Sequence, residues 1–536
     1  MSSTLAPDIL SPCNPITCSS VSSTLTKLNL NPPSTPSDLS DYTSLLAGIW
    51  EIWDKVDKMD DYVPEVDEER FPRNEVFRPS KAENEWGAWA WKVTVGGEAA
   101  GGGGGLLKGK TVCLKDNIAL KGVPCLLGTD VIQDWIPNTD ATVVTRILEA
   151  GGVIKGKGVC ENLSLWGVSC SAATGPISNI YAPGYSAGGS SSGTAVLVGR
   201  GQVDLGVGGD QGGSIRIPAA QNGIVGMKAT TGLVPYTGIA SLEPILDHTG
   251  PMTKTVLDNA LLLQAIAGAD GIDDRSQAGC PFPGDVPDYP TLTKQGVEGL
   301  RIGIISESLN RPLHDPRVSE LVLKAAEAFK DLGAEAVEEV SVPFHKDAPD
   351  IWAVIGRLSA TNTLLGKGSG RRGLCLNDLT DKMMPLKRGS VEEKMFCSGL
   401  NTLINGAWGW EHLPPSLMGK ATNLVRKLRD SYYAALDKYD VLITPTLPML
   451  ASKLPDPDAS IRDLMRNAAG VSMNTSAFNL TGMPALSMPI GFLPSLLDEN
   501  VKLPVGMQIV GKFYSEPTIY RVAYAWEQAN DWKEFC

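Results

Sequence analysis

Three short segments of the sequence carry residue types suited to nucleophilic attack on a carbonyl group. Lys115 ends the apolar run TVCLK, Ser190 lies in SAGGSSSG, and Ser214 follows GGDQGG. A lysine buried at a strand end has a lowered pKa, so its neutral amine can act as a base. A serine in a glycine-rich turn can attack a carbonyl group while neighbouring backbone N–H groups hold the oxyanion. Taken singly, each segment also fits a structural reading: an exposed strand end, a linker and a helix cap.

Strand and helix patterns alternate around these residues. The strand TVCL delivers Lys115, and a helix is predicted over 140–151, with Asp140 as its cap and Gly151 as its end. Further helices are predicted over 254–268 and 316–333. Further strands are predicted at VIKGKGV, GLRIGIIS, DVLITPTLPM and PVGMQIVG, the last followed by a helix. Such alternation favours an α/β fold.

The domain organisation follows from shifts in composition. Residues 1–40 are rich in Ser, Thr, Pro and Asn, which predicts a flexible arm. Apolar residues at helical spacing then predict a helical N-terminal extension over 41–85. Residues 86–536 form the main domain in this interpretation. Within it, the weaker pattern over about 345–430 predicts a variable substrate-binding region.

Composition excludes several other classes of protein. The net charge of -13 argues against a nucleic-acid-binding surface. The ten cysteines contain no CxxC pair, and the four histidines are dispersed, so a disulfide framework or a metal cluster is not expected. We therefore expect reduced thiols and a cytoplasmic location. The sequence shows no secretory signal and no stretch suited to a membrane span.

Together the three segments resemble the amidase signature family. KDN at 115–117, GGSSSG at 188–193 and GDQGGSIR at 209–216 agree with that family in order and spacing. The resemblance covers about residues 85–530 and includes AGGVIKGKGVCEN, GIVGMKATTGLVP, HTGPMT, NLTGMPALSMPIG and LPVGMQIVG. The chain looks most like the bacterial and fungal branch with the DQGGSIR variant. The resemblance implies a mixed β-sheet core flanked by helices on both faces, and it implies no cofactor or metal.

The resemblance also implies a role for each catalytic position. Ser214 matches the nucleophile, Ser190 matches a bridging serine after a cis peptide bond at Gly189, and Lys115 matches the base. The backbone N–H groups of Gln211, Gly212, Gly213 and Ser214 match the oxyanion hole. Lys115 would accept a proton from Ser190, which takes one from Ser214, and the proton would return to the departing ammonia.

Two features beside the motifs lead to separate expectations. Ser192 stands where the family often has glycine, and we expect it to lie beyond the proton relay with little effect. Asp210 and Arg216 are charged residues next to the nucleophile. We expect them to form a hydrogen-bonded pair that braces the loop.

Other functions remain open at this stage. GSSSG at 189–193 satisfies GxSxG, and Asp247 and His248 follow, so an esterase-like Ser–His–Asp hydrolase is one alternative. However, a loop rather than a strand precedes the serine, and adjacent Asp and His side chains align poorly. A glutamine-hydrolysing amidotransferase subunit is a second alternative, and a scaffold without activity is a third.

The substrate class is the least determined part of the prediction. Trp352, Met384, Trp408 and Trp410 are candidates for an apolar substrate pocket, although each also fits the protein core. We expect a small-molecule primary amide with a small or medium apolar acyl or aryl group. The sequence leaves the oligomeric state open, a homodimer included.

Overall fold

The structure is a computed structural model that describes residues 10–97, 105–276, 279–368, 371–383 and 391–535. These residues divide into two units, one ending at Pro64 and the other beginning at Glu65. The sequence placed the start of the main domain later, at residue 86. The strand over Asn74–Phe77 explains the difference, because it pairs with the main sheet.

The N-terminal unit contains two helices, α1 (Cys18–Lys27) and α2 (Pro36–Asp57). Helix α1 lies in the segment that we expected to be a flexible arm. The helix was missed because its sequence is rich in Ser and Thr, and Val21 is its buried residue. Helix α2 begins before residue 41, because Thr35 caps it by accepting a hydrogen bond from Asp38 N.

The described part of the main unit contains a mixed sheet of twelve strands. In chain order the strands are β1 (Asn74–Phe77), β2 (Trp89–Val95), β3 (Thr111–Lys115), β4 (Val153–Gly158), β5 (Leu205–Asp210), β6 (Val225–Lys228), β7 (His248–Thr253), β8 (Arg301–Ile305), β9 (Ala336–Val340), β10 (Val441–Pro445), β11 (Ala485–Pro494) and β12 (Lys502–Val510). Their order in the sheet is β1-β2-β4-β3-β5-β7-β6-β11-β12-β10-β8-β9. Strand β3 lies between β4 and β5 and runs parallel to both.

Helices cover this sheet and fill the region after β9. They are α3 (Thr142–Glu149), α4 (Ser192–Gly199), α5 (Arg216–Gln221), α6 (Val256–Ile266), α7 (Tyr289–Leu292), α8 (Ser306–Leu309), α9 (Pro316–Asp331), α10 (Ala348–Leu364), α11 (Asn377–Met383), α12 (Val391–Lys394), α13 (Cys397–His412), α14 (Ser416–Leu436), α15 (Ile461–Asn467), α16 (Ser476–Thr481) and α17 (Glu516–Ala529). The strands and helices predicted after residue 86 are confirmed, whereas the extension predicted as helical over 41–85 is helical only up to Asp57. The Asp140 cap was wrong, because its carboxylate instead accepts from Lys121 N at 2.8 Å.

Strand β5 shows how the two faces of the sheet are used. Leu205 lies in the core shared with α3 and α6. The alternating glycines Gly206 and Gly208 face the other side. A Cβ on Gly206 would lie 2.5 Å from Thr194 Cγ2 of α4, and one on Gly208 would lie 3.1 Å from Ser191 Oγ. The glycines therefore let α4 and the serine loop approach the strand, and helices cover both faces as predicted.

The rest of the described chain adds three observations. None of its helices combines the length and apolar character needed to cross a bilayer. Within the same residues, His, Cys, Asp and Glu side chains form no group arranged to hold a metal ion. The nine cysteines located there are free thiols.

Candidate active site

Lys115 is the last residue of strand β3, and the loops that carry Ser190 and Ser214 lie at this end of the strand. Its side chain is fully buried, and Nζ lies 2.8 Å from Ser190 Oγ and 3.2 Å from Gly209 O. Burial lowers the pKa of Lys115 to about 8, although nearby acids such as Asp210 oppose this shift. The neutral amine is therefore accessible near neutral pH, as a base requires.

The loop that carries Ser190 is shaped by its glycines. The peptide bond between Gly189 and Ser190 is cis, as the resemblance implied. A Cβ on Gly189 would lie 2.7 Å from Glu161 Cγ, and one on Gly188 would lie 2.8 Å from Pro218 Cα. The backbone O of Ser190 accepts a hydrogen bond from Glu161 N at 3.1 Å. Only glycines allow this close approach of the loop to its neighbours.

Glu161 is a buried carboxylate that the sequence reasoning did not single out. Oε1 accepts from Ser192 Oγ at 2.8 Å, and Oε2 accepts from the N–H and hydroxyl of Ser171 at 2.7 and 2.6 Å. Burial raises the pKa of Glu161, while these hydrogen bonds oppose that shift. Ser192 thus contacts Glu161 rather than Lys115, which agrees with the expectation that it lies outside the relay. An acidic residue three positions after a buried strand was the available signal.

The loop that carries Ser214 is braced by Asp210 and Arg216. Arg216 Nε donates to Asp210 Oδ2 at 3.0 Å, and Nη2 donates to Oδ1 at 2.9 Å, so the predicted pair is confirmed. Asp210 also accepts the N–H groups of Gly213 and Ile215. Burial by itself raises the pKa of Asp210, but Arg216 and hydrogen bonds hold that pKa well below its usual range.

Distant parts of the chain complete this brace. Arg216 Nη1 donates to Thr475 O and to Gln508 Oε1, and Nη2 donates to Asn479 Oδ1. Asn479 Nδ2 in turn donates to Asp210 Oδ1 at 2.8 Å. The sequence reasoning missed these residues because no local pattern connects them to the nucleophile loop.

The backbone N–H groups of the Ser214 loop differ in their availability. The N–H of Gly213 donates to Asp210 Oδ1 at 2.7 Å. It is therefore not available to an oxyanion, contrary to the expectation from the sequence. Within the described part of the chain, no acceptor contacts the N–H of Gln211, Gly212 or Ser214. Unpaired N–H groups in a buried loop are rare. Such groups can receive an oxyanion, and this role of the three N–H groups stays a prediction.

The two serine loops are in contact, but their hydroxyl groups are not yet linked. Ser191 N donates to Ser214 O at 3.3 Å. Among the described residues, no hydrogen bond joins Ser190 Oγ to Ser214 Oγ. Ser214 is 7% exposed, so it is largely buried. The structure thus contains the contact between Lys115 and Ser190, and a proton route from Ser214 stays a prediction.

The tryptophans expected to line the substrate pocket occupy different places. Trp352 on α10 donates its indole N–H to Gln211 O at 2.8 Å. Trp408 and Trp410 on α13 are 56% and 44% exposed. Met384 lies outside the described residues. Substrate contact by this set stays a prediction, and the position next to the nucleophile loop favours Trp352 alone.

A cavity of about 310 Å³ adjoins the site on the side of Tyr236. Its lining includes apolar Ile239 and Leu379 together with the charged pair Arg275 and Asp273. It does not include the three predicted catalytic residues or the three tryptophans. The sequence reasoning did not single out these lining residues, because they come from a loop and from the weakly patterned region after α10.

A polar cluster connects the cavity to the nucleophile loop. Tyr236 OH accepts from Gln211 Nε2 at 3.0 Å and from Asn117 Nδ2 at 3.4 Å. In the described structure, Gln211 Oε1 and Asn117 Oδ1 are buried without a hydrogen-bond partner. A Cβ on Gly209 would lie 3.4 Å from Lys115 Nζ and 3.6 Å from Asn117 Nδ2, so this cluster is close to the lysine amine.

The geometry argues against the Ser–His–Asp alternative. His248 Nδ1 donates to Leu246 O, and Nε2 contacts Thr231 Oγ1 at 2.7 Å. Asp247 accepts from the hydroxyl of Ser241 rather than from His248. Ser191 Oγ donates to Gly209 O at 3.1 Å. The serine, histidine and aspartate of that alternative therefore serve separate structural contacts.

Comparison with known proteins agrees with this site. The model of the amidase family matches residues 87–520. An enantioselective amidase from Rhodococcus rhodochrous is 38% identical over 457 residues, which cover 84% of this chain and 84% of the relative. The A subunit of glutamyl-tRNA(Gln) amidotransferase from an Exiguobacterium species is 34% identical over 431 residues, which cover 79% of this chain and 84% of the relative. The chain belongs to the amidase family.

Solved structures extend the comparison to the fold. The A subunit of glutamyl-tRNA(Gln) amidotransferase from Thermotoga maritima aligns with a TM-score of 0.64 at 27% identity and covers 86% of this chain and 88% of that chain. A bacterial aryl acylamidase aligns with a TM-score of 0.66 at 24% identity, over 80% and 84% of the two chains. The protein is thus a hydrolase that acts on amide C–N bonds.

Proposed function

We propose that this protein hydrolyses a primary carboxamide to a carboxylic acid and ammonia, with Ser214 as nucleophile, Ser190 as bridge and Lys115 as base. The observation that carries the proposal is the 2.8 Å contact between the buried Lys115 amine and the Ser190 hydroxyl. The backbone contact between Ser191 and Ser214 holds the two serine loops side by side. A base and a nucleophile are thereby kept within reach of a common bridge.

In the proposed reaction, Ser214 Oγ attacks the amide carbon and passes its proton to Ser190, which passes its own to Lys115. The C–N bond then breaks, and the departing nitrogen receives a proton from Ser190 and leaves as ammonia. Water attacks the acyl-enzyme by the same proton route and releases the acid. Substrate binding has to turn the Ser214 hydroxyl toward Ser190. Catalytic hydrogen bonds are often loose before substrate is bound.

The developing oxyanion is assigned to the backbone N–H groups of Gln211, Gly212 and Ser214. All three are free of protein acceptors within the described residues, and all three belong to the loop that Asp210 and Arg216 brace. Donors fixed before the reaction stabilise a transition-state charge without reorganisation. This assignment leaves Gly213 to its bond with Asp210.

The preference for an amide with N–H groups rests on the polar cluster at Tyr236. The side-chain NH₂ groups of Gln211 and Asn117 both donate to Tyr236, which leaves their oxygens unpaired and buried. Buried acceptors without a donor are costly. A primary amide supplies N–H donors, whereas an ester supplies none at the same position.

The acyl group is proposed to be small or medium and largely apolar. The adjoining cavity of about 310 Å³ suits such a group, and it includes apolar side chains at Ile239 and Leu379. Asp273 in the same lining pairs with Arg275 at 2.9 Å and with Arg371 at 3.1 Å, and Lys367 adds a further positive charge. The proposed preference for uncharged acyl and aryl amides therefore rests on the apolar side chains alone.

Ammonia release from a panel of amides tests the proposed function. The panel contains acetamide, hexanamide, benzamide, phenylacetamide and free glutamine, with Ser214→Ala as the matched inactive variant. We expect hydrolysis of at least one simple amide by the wild type and none above background by Ser214→Ala. Equal turnover by the two proteins would contradict the assignment of Ser214.

The second candidate is a glutamine-hydrolysing amidotransferase subunit. It is favoured by the similarity to the A subunit of glutamyl-tRNA(Gln) amidotransferase, at 34% identity over most of the chain. Under this alternative, glutamine would be the only substrate, or activity would require a partner protein and charged tRNA. Either result in the same panel would replace the simple-amide proposal.

A further inference from the structure

The first peptide unit of the nucleophile loop is held by one side chain from a distant helix. Trp352 on α10 donates its indole N–H to Gln211 O at 2.8 Å. The indole also packs on the next residue, because a Cβ on Gly212 would lie 3.0 Å from Cζ2 and 3.2 Å from Cε2 of the ring. Among the described residues, no other group donates to Gln211 O.

The geometry of the peptide bond makes this contact relevant to the oxyanion. In a planar trans peptide, the C=O and N–H groups point in opposite directions. Holding Gln211 O toward Trp352 therefore fixes the N–H of Gly212 on the opposite side. That N–H has no acceptor in the described chain.

The next peptide unit of the loop is held separately. Thr475 Oγ1 donates to Gly212 O at 2.6 Å, and the N–H of Gly213 donates to Asp210 at 2.7 Å. The Gly212–Gly213 peptide is thus held at both its C=O and its N–H group. The Gln211–Gly212 peptide is held at its C=O group, by Trp352. Loss of the indole N–H would free the first peptide and leave the second in place.

Helix α10 is a suitable support for such a contact. Ile351 and Ile355 on either side of Trp352 lie in a buried cluster that also contains Phe478 of α16. A group mounted on a packed helix holds its partner with less positional freedom than a group on a loop. The indole is therefore fixed relative to the core before substrate binds.

We propose that Trp352 is a positioning residue, which holds the Gln211–Gly212 peptide so that Gly212 N–H receives the oxyanion. This inference rests on the proposed function, since it requires acyl transfer at Ser214. It differs from the role expected from the sequence, in which Trp352 was a wall of the substrate pocket. A wall residue acts on substrate affinity, whereas a positioning residue acts on the transition state.

Trp352→Phe removes the indole N–H and keeps an aromatic ring. We expect kcat to fall about 10-fold to 100-fold, less than the 10²–10³-fold loss known for removal of an oxyanion donor. KM is expected to stay within about twofold, because the ground-state carbonyl depends less on this donor. Affinity for phenylboronic acid, which forms a tetrahedral adduct with a serine, is expected to fall in parallel with kcat.

Trp526→Phe is the matched control. Its indole N–H donates to Ala325 O at 3.0 Å, so the variant loses the same kind of bond in the core formed by α9 and α17. Thermal unfolding of both variants shows the structural cost of each substitution. We expect Trp526→Phe to keep kcat and boronic acid affinity even where its melting temperature falls.

Coupling to Gly212 supplies a second readout. In the wild type, Gly212→Ala places its Cβ against the indole, at 3.0 Å from Cζ2. The smaller ring of Trp352→Phe relieves that contact, so the two substitutions together are expected to cost less activity than the product of their separate effects. Strictly multiplicative losses would count against direct packing between the two residues.

The outcomes separate this inference from the proposed function. A wild-type protein without amidase activity on any substrate would refute the proposed function itself. An active wild type with equal kcat for Trp352→Phe and Trp526→Phe would refute the positioning role alone. A rise in KM at unchanged kcat would do the same, and it would return Trp352 to the substrate wall.

Discussion

Arg216 and Asp210 form a fully buried, bidentate ion pair directly beside the proposed nucleophile, with N–O distances of 3.0 and 2.9 Å. The same carboxylate accepts the N–H groups of Gly213 and Ile215 on either side of Ser214. The Asp210 carboxylate therefore neutralises the Arg216 guanidinium and also holds the backbone of the loop that carries Ser214. Removing one partner of a buried pair leaves an uncompensated charge.

Asp210→Asn is expected to destabilise the protein by about 3 kcal/mol and to reduce kcat more than 100-fold. Denaturant unfolding and steady-state kinetics measure the two effects. Asp258→Asn is the control, because its pair with Lys110 is partly exposed and is expected to contribute less than about 1 kcal/mol. If both variants lost similar stability and activity, the brace would have no special role.

The rate is expected to depend on pH through Lys115. The base has to be neutral, and burial lowers its pKa to about 8. The value of kcat/KM should therefore rise with pH, follow a single ionisation near 8, and level off above it. A pH–rate profile measured from about pH 6 to pH 10 checks this expectation. A profile that falls over this interval would exclude a neutral lysine base.

The same shift has a consequence for stability. The folded pKa of Lys115 is about 8 against an ordinary value of 10.5, so the unfolded chain binds more protons between these values. Wild-type stability should then be reduced by on the order of 3 kcal/mol below pH 8, and this deficit should disappear as the pH rises toward 10.5. The Lys115→Met variant has no ionisable group at this position, so its stability is not reduced in this way.

Melting temperatures of the wild type and Lys115→Met, compared across pH, test this linkage. The variant is expected to melt higher at neutral pH, with a difference that shrinks between pH 8 and 10.5. The contributions of the other ionisable groups to the pH dependence cancel in this difference, because both proteins contain those groups. A difference that is constant over the whole interval would show that Lys115 keeps an ordinary pKa when folded.

The site positions encoded locally could be predicted from the sequence. Lys115 ends a strand whose apolar pattern is continuous, and Asp210 and Arg216 flank Ser214 within one short loop. Local patterns report such neighbours because a strand or a turn fixes their relative direction. The strands at 111–115 and 153–158 followed from the same kind of signal, whereas helix α4 directly after Ser190 was not predicted.

The contacts made across the fold could not be predicted. Trp352 reaches Gln211 from 141 residues away, and Asn479 reaches Asp210 from 269 residues away. The sequence presents Trp352 as an apolar residue of a weakly patterned helix, so a pocket wall was the natural interpretation. The engagement of Gly213 by Asp210 was equally hidden, because a motif gives residue types but not hydrogen-bond partners.

His248→Gln is expected to keep kcat within about tenfold of the wild type. The imidazole contacts Leu246 and Thr231, and burial holds the pKa of His248 well below its ordinary value, so it has no place in the proton route. Kinetics on the folded variant, checked by circular dichroism, give the answer. A loss as large as that of Ser214→Ala would favour a histidine-dependent mechanism.

The identity of the nucleophile is the central claim, and covalent labelling tests it most directly. A fluorophosphonate loses fluoride to an activated serine and leaves a stable phosphonyl adduct, which peptide mapping by mass spectrometry assigns to one residue. We predict a single adduct on Ser214, formed with loss of amidase activity and greatly slowed in Lys115→Ala. An adduct on Ser191, or complete inhibition with Ser214 unmodified, would contradict the account.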